Sequence, residues 1–178
     1  MNDWLTCADI INRGGIAVIP TDTLYGIVAK ATNHEAVQRL YSIKKRLLSK
    51  PFIILISDTD QLKRFNVPVS LLAKTFAYWP GPYSLILPVN NTKYNYLTNG
   101  KNTLAFRLPN KPELINLINK TGPIVAPSAN PGGLPPAKNI AEAKKYFGDL
   151  VDIYVDGGEI KNEQPSGLLD IVSGQKLR

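Results

Sequence analysis

The sequence predicts a mixed α/β fold. Apolar runs typical of strands alternate along the chain with segments whose apolar residues recur at helical spacing. Some strand candidates follow one another without a helix between them, which favours a mixed sheet over a purely parallel one. The chain has 178 residues, of which 44% are hydrophobic and 20% are charged, so one compact folded domain is expected.

An amphipathic helix is expected at the beginning of the sequence. Apolar residues recur at helical spacing from Trp4 to Ile11, and Gly14 and Gly15 follow as a glycine cap. A strand over 16–20 comes next, so the chain is expected to enter its sheet directly after this helix.

A second helix is expected to begin after Asn33, whose side chain is a good N-cap, and to end near Arg46. Its basic end suits the negative end of the helix dipole. The isoleucine-rich run over 52–56 is typical of a strand that is covered on both faces, and Asp58 then caps a short helix. Another helix is expected over 71–78.

Prolines and glycine break regular structure at Trp79-Pro80-Gly81-Pro82, because proline lacks a backbone donor. A polar loop is expected over 90–102. The other predicted strands cover 83–89, 103–108, 124–126, 151–155 and 168–172, and the other predicted helices cover 112–119 and 139–147.

The composition favours anionic partners without choosing among them. Twenty-one Lys and Arg against fourteen Asp and Glu give a net charge of +7, which suits nucleotides or RNA, although surplus lysine also serves solubility alone. A single cysteine and a single histidine offer neither an internal disulfide nor a zinc site. No apolar run approaches the length of a membrane span, and the start lacks the pattern of a signal peptide, so a cytoplasmic protein is expected.

Three polar segments lie at or just after the ends of predicted elements, which is where α/β folds place ligands. They are PTDTLYG from Pro20 to Gly26, IKKRLLSKP from Ile43 to Pro51, and APSANPGG from Ala126 to Gly133. Neither a P-loop nor a G-x-G-x-x-G motif is present, so nucleotide binding would need another device. No pattern indicates a Cys/His or Ser/His/Asp nucleophile.

The second and third segments together could form part of a site that binds an anion. Lys44, Arg46 and Lys50 would supply cationic donors. Ser128 and Asn130 would supply neutral donors on a turn whose small residues let a ligand approach the backbone.

Plainer interpretations stay open for these segments. The basic run is also typical of a solvated helix end, and Ser128 and Asn130 are also typical of an ordinary turn. The sequence Thr-Asp-Thr is also typical of a cap and turn, although Thr23 could bind a small substrate. Arg107 differs, because an arginine in an apolar strand needs an anionic partner, either protein or ligand. Ser166 is a weaker candidate.

These motifs resemble those of the YrdC/Sua5 (TsaC) family of threonylcarbamoyl-AMP synthases, in its short single-domain type. The hallmark of that family is K-x-R followed far downstream by S-x-N, which Lys44 to Arg46 and Ser128 to Asn130 match. The other matching motifs are PTDTLYG, the K-P start of the next strand, AFRLP from Ala105 to Pro109, and SGLLDI from Ser166 to Ile171. The resemblance covers nearly the whole chain.

The resemblance implies an open, twisted YrdC/RibB-like sheet around a large basic concave cavity, within a single domain over 1–178. It implies an enzyme that converts L-threonine, bicarbonate and ATP into threonylcarbamoyl-AMP and pyrophosphate. This is the first step in forming N6-threonylcarbamoyladenosine at position 37 of tRNAs that read codons beginning with A. Mg²⁺ would arrive with ATP, and no organic cofactor is implied. A TsaD-type transferase system would be the downstream acceptor, and tRNA or double-stranded RNA would be a further partner.

The resemblance also implies roles for single residues. Lys44 and Arg46 would be catalytic. The ATP-binding residues would be Lys44, Arg46, Lys50, Thr103, Asn130 and Arg178. The threonine-binding residues would be Thr23, Arg107, Ser128 and Ser166, and no metal ligands are expected.

Two positions depart from the family pattern. Lys45 stands where glycine is frequent, and the stretch 132–136, Gly-Gly-Leu-Pro-Pro, replaces one that usually carries hydroxyl groups, so hydroxyl contacts to ATP are not expected there. The end of the sequence at Arg178 fits the compact type. The rival interpretations are a non-catalytic, YciO-like RNA-binding protein and the carbamoyl-transfer chemistry of HypF-type proteins.

Overall fold

The computed structural model describes residues 3–90, 92–160 and 164–178. Within these ranges one mixed sheet has eight strands. They are β1 (Ala17–Pro20), β2 (Tyr25–Lys30), β3 (Ile53–Leu55), β4 (Tyr83–Pro88), β5 (Thr103–Arg107), β6 (Ile124–Val125), β7 (Ile153–Tyr154) and β8 (Gly167–Asp170).

The order of the strands across the sheet is β7-β1-β2-β6-β3-β5-β4-β8. β1 pairs in parallel with β7, β3 with β5, and β4 with β8, whereas the other neighbours are antiparallel. The sequence-based prediction of a mixed α/β sheet is therefore confirmed.

Six α-helices lie in the described ranges. They are α1 (Asp3–Asn12), α2 (His34–Lys44), α3 (Leu72–Thr75), α4 (Asn95–Thr98), α5 (Pro112–Thr121) and α6 (Ile140–Phe147). The caps predicted for Asn33 and Asp58 are confirmed, because their side chains accept the backbone N–H groups of Ala36 at 3.0 Å and Gln61 at 3.1 Å. The helix that Asp58 caps is a 3₁₀ helix, Thr59–Phe65. No described helix has the length and apolar character that a membrane crossing requires.

Three local features differ from the sequence-based expectation. β2 was not predicted, because its residues follow directly on the turn of the first polar segment and show no alternation of polar and apolar residues. It pairs with β1 as a hairpin and is buried on both faces. The helix expected over 71–78 is only the single turn α3. The loop expected over 90–102 contains α4, and residue 91 of that loop lies outside the described residues.

The sheet is covered on both faces, which explains its continuous apolar strands. In β1, Ala17 and Ile19 pack in a cluster with α1 and α5, whereas Val18 packs in the other cluster with α2 and α6. Cys7 is buried in α1, and its burial raises the pKa of the thiol to about 12.

The sheet brings four chain segments to one place. Thr21 follows the end of β1, Arg107 ends β5, Ser128 follows the end of β6, and Ser166 precedes β8. These positions all border a single cavity. The candidate site is thus built from the ends of separate strands, in keeping with its predicted location.

Candidate functional site

A cavity of about 370 Å³ contains many of the residues that the sequence predicts for the site. Three arginines that the sequence predicts for the site belong to its wall, and so do three of the predicted hydroxyl side chains. They are Arg46, Arg107 and Arg178, with Thr23, Ser128 and Ser166. A concave wall that combines cations with hydroxyl groups suits a ligand that carries more than one anionic group.

Arg107 is the most deeply buried of the three arginines, with 4% of its surface exposed. Its Nη1 donates to Oγ1 of Thr23 at 3.0 Å, and its Nη2 lies 3.0 Å from Oδ1 of Asp22. Burial lowers the pKa of Arg107, the Asp22 carboxylate opposes this change, and Arg178 adds to it. The anionic partner that the sequence required for Arg107 is therefore Asp22.

The ion pair leaves part of the arginine free for a ligand. Nε of Arg107 and Oδ1 of Asp22 are buried and have no hydrogen-bond partner among the described residues, so the close Asp22 contact is electrostatic and poorly aligned. An unpaired buried N–H group is costly, and an anion in the cavity would satisfy it.

The two threonines of the turn after β1 have different roles: one stabilises the turn, and the other contacts the candidate site. Oγ1 of Thr21 donates to the carbonyl of Leu24 at 2.6 Å and accepts the N–H of Leu24 at 3.2 Å, so it closes the turn. The hydroxyl group of Thr23 instead accepts a hydrogen bond from Arg107. Tyr25 borders the cavity, and its hydroxyl donates to the carbonyl of Gly158 at 2.8 Å. The turn interpretation is correct for Thr21, whereas Thr23 faces the candidate site.

Arg46 is held over the start of β3. Its Nε donates to the carbonyl of Lys50 at 2.9 Å, and its guanidinium group lies 5.5 Å from the centre of the Phe52 ring. Burial lowers the pKa of Arg46, Tyr41 opposes this change, and Arg178 adds to it. Two arginines that disfavour one another's charge are a favourable place for a ligand anion.

Ser166 and Arg178 form another part of the wall. Oγ of Ser166 lies 2.9 Å from Oγ of Ser84, which is fully buried. Nε of Arg178 donates to the carbonyl of Ser166 at 2.9 Å, and its Nη2 donates to the Ser166 hydroxyl at 3.4 Å. Arg178, for which the family resemblance implies a contact with ATP, therefore lies beside Ser166 at the cavity.

The loop after β6 is tied together by its own side chains. Oγ of Ser128 donates to Oδ1 of Asn130 at 2.6 Å, and Nδ2 of Asn130 donates to the carbonyl of Pro131 at 3.2 Å. Nζ of Lys44 donates to the backbone carbonyls of Ser128 and Asn130. The Asn130 side chain thus makes the contacts of a turn, whereas Ser128 also belongs to the cavity wall.

Four of the residues predicted for the site are not part of the described wall: Lys44, Lys50, Thr103 and Asn130. Lys44 is buried behind the loop, and Lys50 is exposed beside Arg46. Thr103 begins β5, at the end opposite to Arg107. The role predicted for Thr103 in binding ATP therefore stays a prediction.

Two residues near the cavity were not predicted as site residues from the sequence. Asp22 supports Arg107, and the requirement of a buried arginine for an anion was the signal that could have identified it. Phe52 belongs to the wall and lies under Arg46, but its position in an apolar run gave no sign of this role. Among the described residues, no group of three or more His, Cys, Asp or Glu could hold a metal ion.

Comparison with known proteins gives matches over almost the full chain. The sequence model of the Sua5/YciO/YrdC family, described as telomere recombination, matches residues 9–178. A protein named threonylcarbamoyl-AMP synthase from Coxiella burnetii strain RSA 493 is 30% identical over 181 residues, which cover 100% of this chain and 96% of that protein.

Solved structures are similar as well. P. abyssi Sua5 complexed with L-threonine has a TM-score of 0.86 and 31% identity, over 94% of this chain and 50% of that chain. The chain therefore spans about half the length of this Sua5. YciO from E. coli has a TM-score of 0.81 over 94% of this chain and 82% of its own, but at 23% identity the likeness is one of fold alone.

Proposed function

The chain belongs to the Sua5/YciO/YrdC family, and on this premise we propose that it is a threonylcarbamoyl-AMP synthase. It uses L-threonine, bicarbonate and ATP, and it releases threonylcarbamoyl-AMP and pyrophosphate. The observation that carries this proposal is the cavity wall, in which the buried Arg107 and Thr23 lie in the same cavity as Arg46 and Arg178. The cavity can therefore hold an amino acid next to a nucleotide.

The main task of the protein in this reaction is to hold two anions, the carbamate and ATP, close together. A nucleophilic side chain is not required. The amino group of threonine combines with bicarbonate to give a carbamate and water. A carbamate oxygen then attacks the α-phosphorus of ATP, and the bond to the β-phosphate oxygen breaks, so that pyrophosphate leaves with the electron pair. Positioning the reactants and neutralising their charge lower the barrier to this transfer.

The threonine end of the site is proposed at Arg107. Its unpartnered Nε offers a charge-assisted hydrogen bond to the carboxylate of the amino acid. The hydroxyl groups of Thr23, Ser128 and Ser166 would surround the remaining polar groups of threonine. This arrangement is in keeping with the similarity to a Sua5 that was solved with L-threonine.

The nucleotide end is proposed at Arg46 and Arg178, whose positive charges disfavour each other until phosphates enter. Lys50, exposed beside Arg46, and Asn130 are proposed to extend this end. Thr103, at the other end of β5 from Arg107, is proposed to contact the nucleotide beyond the described cavity wall. Mg²⁺ is proposed to arrive with the triphosphate, where it would neutralise phosphate charge.

The product is a reactive acyl phosphate, so we propose that a TsaD-type threonylcarbamoyl transferase system consumes it. The final acceptor would be adenosine 37 of tRNAs that read codons beginning with A. The chain would act in the cytoplasm as a single domain over 1–178, and its net charge of +7 favours contact with tRNA or double-stranded RNA.

Mass detection of threonylcarbamoyl-AMP tests the proposal directly. Purified protein should form this product from ATP, bicarbonate and threonine, and omission of threonine should abolish it. Arg46→Ala should lower the rate by about 10²-fold, because a cation that neutralises the transferring phosphates is lost. Lys45→Ala is the matched control, since it removes an exposed neighbouring cation.

The rival function, RNA binding without catalysis, predicts a different pattern. RNA affinity would fall steeply with salt and would not respond to threonine, whereas the synthase should bind ATP more tightly when threonine is present. The full-length similarity to a protein named as the synthase favours catalysis. Absence of product together with threonine-independent RNA binding would favour the rival.

A further inference from the structure

The ammonium group of Lys44 is engaged by the loop after β6. Lys44 is the last residue of α2, and only 3% of its surface is exposed. Its Nζ donates to the backbone carbonyls of Ser128 and Asn130 and lies 3.5 Å from Oδ1 of Asn130. An ammonium group has three N–H donors, of which two bind these carbonyls and the third has only the long contact to Asn130. The ammonium group is therefore directed at the loop, and Lys44 is not part of the described cavity wall.

The main chain of Lys44 holds the same loop. Its carbonyl accepts the N–H of Gly132 at 2.9 Å. A side chain at Gly132 would not fit freely, because an added Cβ atom would lie 3.2 Å from the carbonyl oxygen of Lys45 and 3.5 Å from that of Lys44. The end of α2 and the loop are therefore fastened on two sides, and their close approach depends on a glycine.

The loop in turn fixes a group that faces the cavity. The Ser128 hydroxyl donates to Oδ1 of Asn130, so its hydrogen points along the loop and its lone pairs remain for a donor of the ligand. Arg46, which also belongs to the cavity wall, follows Lys44 by two residues. Lys44 thus joins the segment that carries Arg46 to the segment that carries Ser128.

The energetics also favour a structural contact. A buried ammonium group is costly unless hydrogen bonds compensate for lost water, and here the carbonyl groups provide that compensation. Burial, together with a smaller effect of the positive charge of Arg46, lowers the pKa of Lys44 to about 7. A residue that binds phosphate would be expected to lie at the cavity wall, as Arg46 and Arg178 do.

We propose that Lys44 is a positioning residue, which clamps the Ser128–Asn130 loop to the end of α2 and so sets Ser128 relative to Arg46. It does not bind phosphate itself. This proposal replaces the ATP contact that the family resemblance implied for Lys44, and it rests on the proposed synthase function.

The test compares Lys44→Met, which keeps the bulk of the side chain without its donors, with the control Lys45→Met on the exposed neighbour. In ligand-free protein, amide hydrogen exchange over 126–134 should become faster in Lys44→Met only. In turnover, kcat should fall by about tenfold or more while the KM for ATP changes by less than about threefold, since misplacement of a reactive group costs rate.

A second variant tests the same clamp while the ammonium group stays in place. Gly132→Ala should push the loop away from α2 and change exchange and kcat in the same direction as Lys44→Met, although by less. If Lys44→Met does not fold, the hydrogen exchange and kcat of Gly132→Ala alone decide whether the clamp exists.

A phosphate contact makes the opposite prediction. Lys44→Met would raise the KM for ATP strongly and leave exchange over 126–134 unchanged, and Gly132→Ala would behave like wild type. That result would overturn the positioning role. Failure of the wild-type protein to make threonylcarbamoyl-AMP would instead refute the proposed function, because the exchange experiment needs no substrate.

Discussion

Asp22 and Arg107 form a buried ion pair at the cavity, in which Oδ1 of the aspartate lies 3.0 Å from Nη2 of the arginine. The pair joins the turn after β1 to the end of β5, so it connects two segments that are far apart in the chain. Its carboxylate holds the guanidinium group in place and leaves Nε unpartnered. Arg107 is thereby oriented and still able to bind a ligand anion.

Asp22→Asn should therefore impair both folding stability and threonine use. The substitution leaves a buried arginine without its counter-charge, which costs about 3 kcal/mol in the free energy of unfolding. Urea unfolding measures this loss, and product formation against threonine concentration measures the change in KM. A rise in the KM for threonine is expected, because the orientation of Arg107 is no longer fixed.

Asp60→Asn is a suitable control, because the Asp60–Lys63 pair has the same charges at an exposed place. An exposed pair contributes only about 0–1 kcal/mol. Equal effects of the two substitutions would contradict the role of Asp22.

Ser166→Ala and Ser84→Ala should separate ligand binding from packing. The two hydroxyl groups share a hydrogen bond, but only Ser166 belongs to the cavity wall. Each variant should lose about 1 kcal/mol of unfolding free energy, since each breaks this bond. Only Ser166→Ala should also raise the KM for threonine. Kinetics with varied threonine check this difference, and a larger rise in KM for Ser84→Ala would refute it.

Lys45→Gly should stabilise the protein. Lys45 lies at the C-terminus of α2 with φ of 49°, a left-handed conformation that a side chain disfavours. Relief of this conformation is worth about 1 kcal/mol, so thermal unfolding should shift upward by about 2–4 °C. Lys45→Ala removes the same charge but keeps a Cβ atom, and it should show no such shift. A matching rise in both variants would point to charge rather than backbone conformation.

The sequence predicted the parts of this protein that depend on local pattern. Asn33 and Asp58 cap helices as expected, because capping needs only a side chain and the next turn of backbone. The run that became β3 was predicted from its apolar character alone. These features are decided by residues close together in the chain.

Features that depend on distant contacts could not be derived in the same way. Arg107 visibly required an anion, but only the sheet shows that Asp22 supplies it. Lys44 and Arg46 look equivalent in the basic run, yet one is buried behind a loop and the other borders the cavity. Their difference arises from where α2 ends relative to β6, which no local pattern contains.

The pH dependence of stability should reveal the burial of Lys44. Its pKa is about 7 in the folded protein and 10.5 without the protein environment, because burial and the charge of Arg46 disfavour the ammonium form. Between these values the unfolded chain binds the extra proton, so the free energy of unfolding should rise with pH. The slope from this group approaches about 1.4 kcal/mol per pH unit.

Urea unfolding of wild type and Lys44→Met at several values from about pH 6 to pH 9 measures this contribution as the difference between the two proteins. The free energy of unfolding of wild type should rise relative to that of Lys44→Met as pH increases above about 7. The buried amino group loses its proton in this range, so the cost of burying its charge is no longer paid by the folded protein. Lys45→Met, which removes an exposed ammonium group, should run parallel to wild type. A wild-type advantage over Lys44→Met that stays constant or shrinks over this range would show that Lys44 keeps its proton when folded.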